Sequence, residues 1–283
     1  MTTLYAWATP AFSSDSPVDH TWVTDYDNRV DPYANITDVE NAQANYWYCW
    51  GIFHIQGSSS EQPQGYLGSA SGDFALAQCL CLPNKESDSI PPHTRPNACG
   101  TIYYYGLDGV CHQLANQVLW ATGGTSTPLT VALARGYRAS SFIYGTYGIL
   151  HHDWKANISR CAAAPPPPSS PSSPSAVTTM DANDDFAIHA KQALAALNAS
   201  DKLAPLLALR ASVREEQLAQ REAVLKGAVM PSAEALNERN QAYFQRAAAL
   251  LTSAEFEAVF GFAPSRTIDL VDPTIMRQPV GKA

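Results

Sequence analysis

The chain is short of positive charge: 18 Lys and Arg stand against 26 Asp and Glu, for a net charge of −8. Binding to a polyphosphate backbone draws on surplus cations, so this balance argues against a nucleic-acid partner. No apolar run approaches the length needed to cross a bilayer, which argues against a membrane span. Residues 1–12 hold no basic residue and no continuous apolar core, so no secretory leader is read there. The expectation is a cytoplasmic protein, or one exported by a signal-peptide-independent route.

Regularly spaced cysteine pairs are also missing. The six cysteines are Cys49, Cys79, Cys81, Cys99, Cys111 and Cys161, and without an export signal they are expected as thiols rather than as a disulfide framework. Cys79-Leu80-Cys81 with His93 and Cys99 departs from zinc-ligand spacing, so neither a metal nor a cofactor is expected. The sequons at Asn35, Asn157 and Asn198 have meaning only for an exported chain.

Residues 162–283 contain no cysteine, no tryptophan and one of the 13 tyrosines. The change falls at 162–176, a Pro, Ser and Ala tract that cannot build a core and reads as a solvated tether. Three parts are therefore expected: an α+β domain over 1–161, the linker 162–176, and a separate all-α helical domain over 177–283. With 283 residues, 46% of them hydrophobic, the chain can bury one sizeable core and a smaller second one.

In the first part, Thr21-Trp22-Val23-Thr24-Asp25-Tyr26 alternates like a half-buried strand, and residues 46–55 are too aromatic and β-branched for anything else. An antiparallel pairing that sets Trp22 opposite Ile52 also sets His20 opposite His54, with both imidazoles on one face. Residues 101–105, 128–134 and 141–147 read as further strands. A mostly antiparallel sheet around one central helix follows.

That helix follows Tyr103-Tyr104-Tyr105 and the turn at Gly106 and Asp108-Gly109, with apolar residues at Val110, Leu114, Val118 and Leu119. Cys111 falls in its first turn, where outward-pointing amide N–H groups and the helix dipole favour thiolate over thiol. The plainer reading is a small buried core residue. Polar His112, Gln113 and Asn116 beside it, and a histidine base available elsewhere, favour the nucleophile.

Asp19-His20-Thr21-Trp22-Val23 on an early strand, with Gly109-Val110-Cys111-His112 at a later helix start, resembles the circularly permuted papain-like superfamily. That group includes the lecithin:retinol acyltransferase-like enzymes and the permuted NlpC-type peptidases, and the likeness covers roughly residues 17–120. It implies a papain-like sheet packed on the nucleophile helix, with Cys111 as nucleophile and His20 as base. It also implies a third group to orient the imidazole: His54 fits best, with Asp25 or Asp27 as alternatives. The Cys111 amide, helped by Tyr105 or Gln113, would hold the oxyanion.

Beyond the linker, residues 181–199 and 203–226 carry apolar stripes at helical spacing, the second closed by Gly227. Pro231 opens a helix to about Leu251, and Thr252-x-x-Glu255 is a capping box for a last helix that stops at Gly261. This arm holds no catalytic constellation and could receive a protein partner or inhibitor. The expected function is cysteine-dependent acyl transfer, foremost hydrolysis of an amide or peptide substrate by a cysteine peptidase or amidase, in the manner of a secreted effector or toxin. Transglutamination, deamidation and lipid acyl transfer use the same pair, and a zinc-stabilised binding module with a helical arm is the non-catalytic alternative.

Overall fold

The computed structural model describes residues 1–11, 15–25, 27, 47–48, 65–73, 75–77, 104–123, 131–150 and 184–276. They form an α+β structure: a four-stranded antiparallel sheet and seven α-helices among the described residues. The strands are β1 (Thr2–Pro10), β2 (Asp19–Thr24), β3 (Trp47–Tyr48) and β4 (Gly65–Gly72), in the order β3-β2-β1-β4. The helices are α1 (Cys111–Leu119), α2 (Tyr137–Tyr144), α3 (Asp185–Ala196), α4 (Leu203–Leu225), α5 (Ala233–Ala248), α6 (Ser253–Phe260) and α7 (Pro273–Met276). No helix among the described residues is long and apolar enough to cross a membrane.

Central strand β1 has no counterpart in the sequence reading. Leu4 and Ala6 enter the main core while Trp7 packs on Trp22 across the β2 ladder, so both faces are covered and the period-two signature is lost. β2 and β3 pair antiparallel as anticipated, but Val23 faces Tyr48, three residues short of the Gly51 that the expected register would give it. An odd shift exchanges the faces of a strand, so the shared imidazole face does not follow. His54 itself lies outside the described residues.

Described parts of two expected strands are helical. Ser141 to Tyr144 belong to α2, which is capped by Gly136 and Gly145, and Val131–Leu133 is a 3-10 turn. Seven of the eight residues of α2 are buried, and its short run Phe142-Ile143-Tyr144 reads equally as a buried strand or a buried helix segment. Of the third expected strand, Tyr105 makes only an isolated bridge to Gly109.

All nine residues of α1 are buried, including four polar ones. Three of these are amides one helical turn apart, and they bind three successive carbonyls: Gln113 Nε2 donates to Gly145 (3.0 Å), Asn116 Nδ2 to Thr146 (2.8 Å) and Gln117 Nε2 to Tyr147 (2.6 Å). Spacing at i, i+3 and i+4 puts them on one helix face, and a chain segment running alongside is thereby satisfied without water.

The carboxy-terminal helices begin and end close to where the sequence places them. Asp184 caps α3, and Ser232 caps α5. Thr252 and Glu255 form the expected capping box of α6. After α4, Gly227 adopts φ 100° and Ala228 N–H reaches back to Ala223 O (2.9 Å), closing a Schellman motif. The packing, however, does not follow the break in composition. One cluster of buried residues runs from Leu4 to Ile275, and Phe142 of α2 lies against Phe186 and Phe260 at ring-centroid distances of 5.2 and 5.1 Å. Arg210 of α4 donates to the Ser141 and Phe142 carbonyls at the end of α2. The helical part is thus not separate: it shares a core with the part that carries the sheet.

Candidate active site

Cys111 is the first residue of α1, and Gln113 fixes the approach to it by accepting from Val110 N–H (3.1 Å). The preceding turn, Tyr105 to Gly109, is pinned by the helical part. Asp108 is fully buried, receives Tyr104 N–H (3.0 Å) and binds Arg221 of α4 (2.7 Å). The Gly106 carbonyl accepts from Tyr144 Oη (2.8 Å).

His20 comes from the start of β2. Its Nδ1 lies 3.4 Å from Cys111 Sγ, so the two residues singled out in the sequence do meet. Its Nε2 lies 2.8 Å from Asp272 Oδ2, at the end of the segment that leads into α7. The three residues are almost withdrawn from solvent, with Cys111 at 3%, His20 at 6% and Asp272 at 4% exposure.

The third group therefore differs from those expected. Asp25 and Asp27 do not hold this place, because the His20 ring nitrogens face Cys111 and Asp272. Asp272 is not among the expected residues, although the sequence carries a signal: Ile268 and Leu270 alternate with polar neighbours as a strand does, and the run closes on Asp272-Pro273, a helix-opening pair.

Gln113 is likewise corrected. With its Oε1 on Val110 N–H and its Nε2 on Gly145 O, it serves the turn rather than an oxyanion. Tyr105 does line the site, but its hydroxyl oxygen accepts from Asp272 N–H (3.1 Å) and so braces the carboxylate segment. Burial, then the nearby Cys111 and Asp272, hold its phenol well above the ordinary value, so it stays protonated.

His112 is buried and contributes to the same walls. Its Nδ1 is 2.8 Å from Ser140 Oγ; burial and the neighbouring His20 lower its pKa to about 3, which keeps the ring neutral. Ala11, Val18, Asp19, Val110 and Leu270 complete a cavity of about 10 Å³, the space of roughly one water. Among the described residues no group of His, Cys, Asp or Glu is arranged to hold a metal ion. Cys79, Cys81, His93 and Cys99 lie outside them.

A thiol, an imidazole and a carboxylate in this order can pass a proton from sulfur to ring while the carboxylate fixes the ring. No protein-family model, no curated protein and no solved structure matches the chain.

Proposed function

We propose that the protein is a cysteine-dependent acyl-transfer enzyme that hydrolyses an amide or peptide bond. The observation that carries this reading is the line Cys111 Sγ, His20 Nδ1, His20 Nε2, Asp272 Oδ2, with gaps of 3.4 and 2.8 Å. In it, His20 Nδ1 takes the Cys111 proton and the thiolate attacks the acyl carbon. The imidazolium returns that proton to the leaving nitrogen, the C–N bond breaks and a thioester remains. A water then gives a proton to His20 and its oxygen to the acyl carbon; the C–S bond breaks, and the thiol is restored.

Asp272 accepts from Nε2–H, which leaves Nδ1 as the basic nitrogen facing sulfur and stabilises the imidazolium. The Cys111 amide belongs to the first residue of α1, where N–H groups point out of the helix, and in this reading it receives the oxyanion. Histidine on a strand ahead of cysteine at a helix start is also the order of the permuted papain-like enzymes, and this reading adopts that chemistry.

Burst hydrolysis of an activated ester such as p-nitrophenyl acetate tests it. An acetyl adduct on Cys111, seen by peptide mass spectrometry and absent from the Cys111→Ser and His20→Ala variants, is the expected result. Acetylation spread evenly over the thiols, or unchanged in His20→Ala, would refute the reading.

A further inference from the structure

Among the described residues, no strand pairs with the segment that delivers Asp272. What stands in that place is one side chain. Asn237, 9% exposed on the first turns of α5, accepts from Leu270 N–H (3.0 Å) and Val271 N–H (2.9 Å) at Oδ1, and donates from Nδ2 to Val271 O (2.9 Å). A carboxamide carries a donor and an acceptor side by side, the same pair that a peptide unit offers to a neighbouring strand. It therefore satisfies both polar groups of residue 271 at once.

We infer that Asn237 is a positioning residue for Asp272: by clamping the backbone at 270 and 271 it sets the carboxylate against His20 Nε2, and through it the basicity of the ring toward Cys111. The inference rests on the acyl-transfer reading of the site. Two further contacts make the clamp directional. Tyr105 Oη accepts from Asp272 N–H (3.1 Å), so the carboxylate-bearing residue is held from the side of the nucleophile turn. A Cβ on Gly106 would stand 2.7 Å from Val271 Cγ1, so the bare glycine lets the segment lie close against that turn. Asn237 holds the path from one side and the Tyr105-Gly106 turn from the other.

The clamp assigns a role to the carboxy-terminal helices. Their bundle supplies a carboxylate to the site, and α5 carries the group that aims it. A shift of about 1 Å in such a group is enough to cost on the order of 100-fold in rate.

The test is the rate at which iodoacetamide alkylates Cys111 in the full-length protein from pH 5 to 9, followed at that peptide by mass spectrometry. This readout needs no knowledge of the substrate. Asn237→Ala is expected to slow alkylation at pH 6 by about tenfold and to move the profile toward that of an ordinary thiol near pH 8.5. Tyr105→Phe, which removes one oxygen and leaves the ring, is expected to do the same to a smaller degree, and it serves if Asn237→Ala does not fold.

Asp272→Asn is expected to slow alkylation at least as much. In an Asp272→Asn background the Asn237 and Tyr105 substitutions are expected to add nothing, because they act through the carboxylate that is gone. A residue that merely stabilises the fold would lower melting temperature without moving the pH profile, and its effect would persist in the double variant; either result overturns the inference. If Asp272→Asn itself leaves the profile in place, it is the acyl-transfer reading of the site that fails.

Discussion

His20 Nε2 lies 2.8 Å from the Asp272 carboxylate although 252 positions separate the two residues along the chain. The contact closes the site with a carboxylate from beyond the 162–176 tract.

His20 faces sulfur through Nδ1, so its removal changes the reactivity of Cys111 rather than its position. His20→Gln is expected to slow iodoacetamide alkylation of Cys111 at pH 6 by about tenfold or more, leaving a profile that rises only toward pH 8.5. With a cavity the size of about one water, bulky maleimides are expected to react more slowly than iodoacetamide in the native protein. A His20→Gln profile that coincides with the native one would defeat the pairing.

His112 links stability to pH. Its folded pKa of about 3 lies below the ordinary 6.5, so between those values the unfolded chain binds a proton that the folded chain refuses. Folding therefore loses stability as pH falls from 6.5 toward 3, by up to several kcal/mol. His112→Asn keeps a polar group near Ser140 and removes the titration. Its loss of melting temperature between pH 7 and 4 is expected to be smaller than that of the native protein, and parallel curves would contradict the assignment.

The Arg221–Asp108 pair ties α4 to the turn before the nucleophile, with side-chain exposures of 11% and 0%. Arg221→Met strips a buried carboxylate of its guanidinium, and the expected cost is about 3–5 kcal/mol in urea unfolding. A loss below about 1 kcal/mol, the range of surface pairs, would show the pair to be unimportant.

Gly106 and Gly227 both have positive φ, 77° and 100°, but differ in their surroundings. A Cβ at Gly106 meets Val271 and Leu236 within 3.0 Å, whereas one at Gly227 meets nothing within 4 Å. Gly227→Ala is expected to cost about 1–2 kcal/mol from backbone strain alone. Gly106→Ala adds crowding of about 1–3 kcal/mol and, by moving Val271, slows Cys111 alkylation. Equal destabilisation of the two variants in denaturant would count against the close approach of Val271.

Much of the local structure was legible. Thr252 and Glu255 announced a helix start, Gly227 a helix end and Cys111 a helix N-terminus, because capping depends on residues within one turn of each other. Where burial covers both faces the signal fades: β1 lacks the alternation of a half-buried strand, and residues 141–144 of α2 read equally as strand. Gln113 and Asn116 read in sequence as polar neighbours of the nucleophile, whereas in the structure they and Gln117 bind the carbonyls of residues 145–147.

By itself the sequence determined the sulfur's place at a helix start, the histidine on an early strand and the run of capped helices beyond the linker, all consequences of neighbours along the chain. Only the tertiary structure decided which carboxylate meets the imidazole, and that the helices share one core with the sheet. A contact between distant segments leaves no spacing to read. It is chosen by which buried surfaces close together, here the packing of Val271 on Gly106 and the grip of Asn237 on the segment before Asp272.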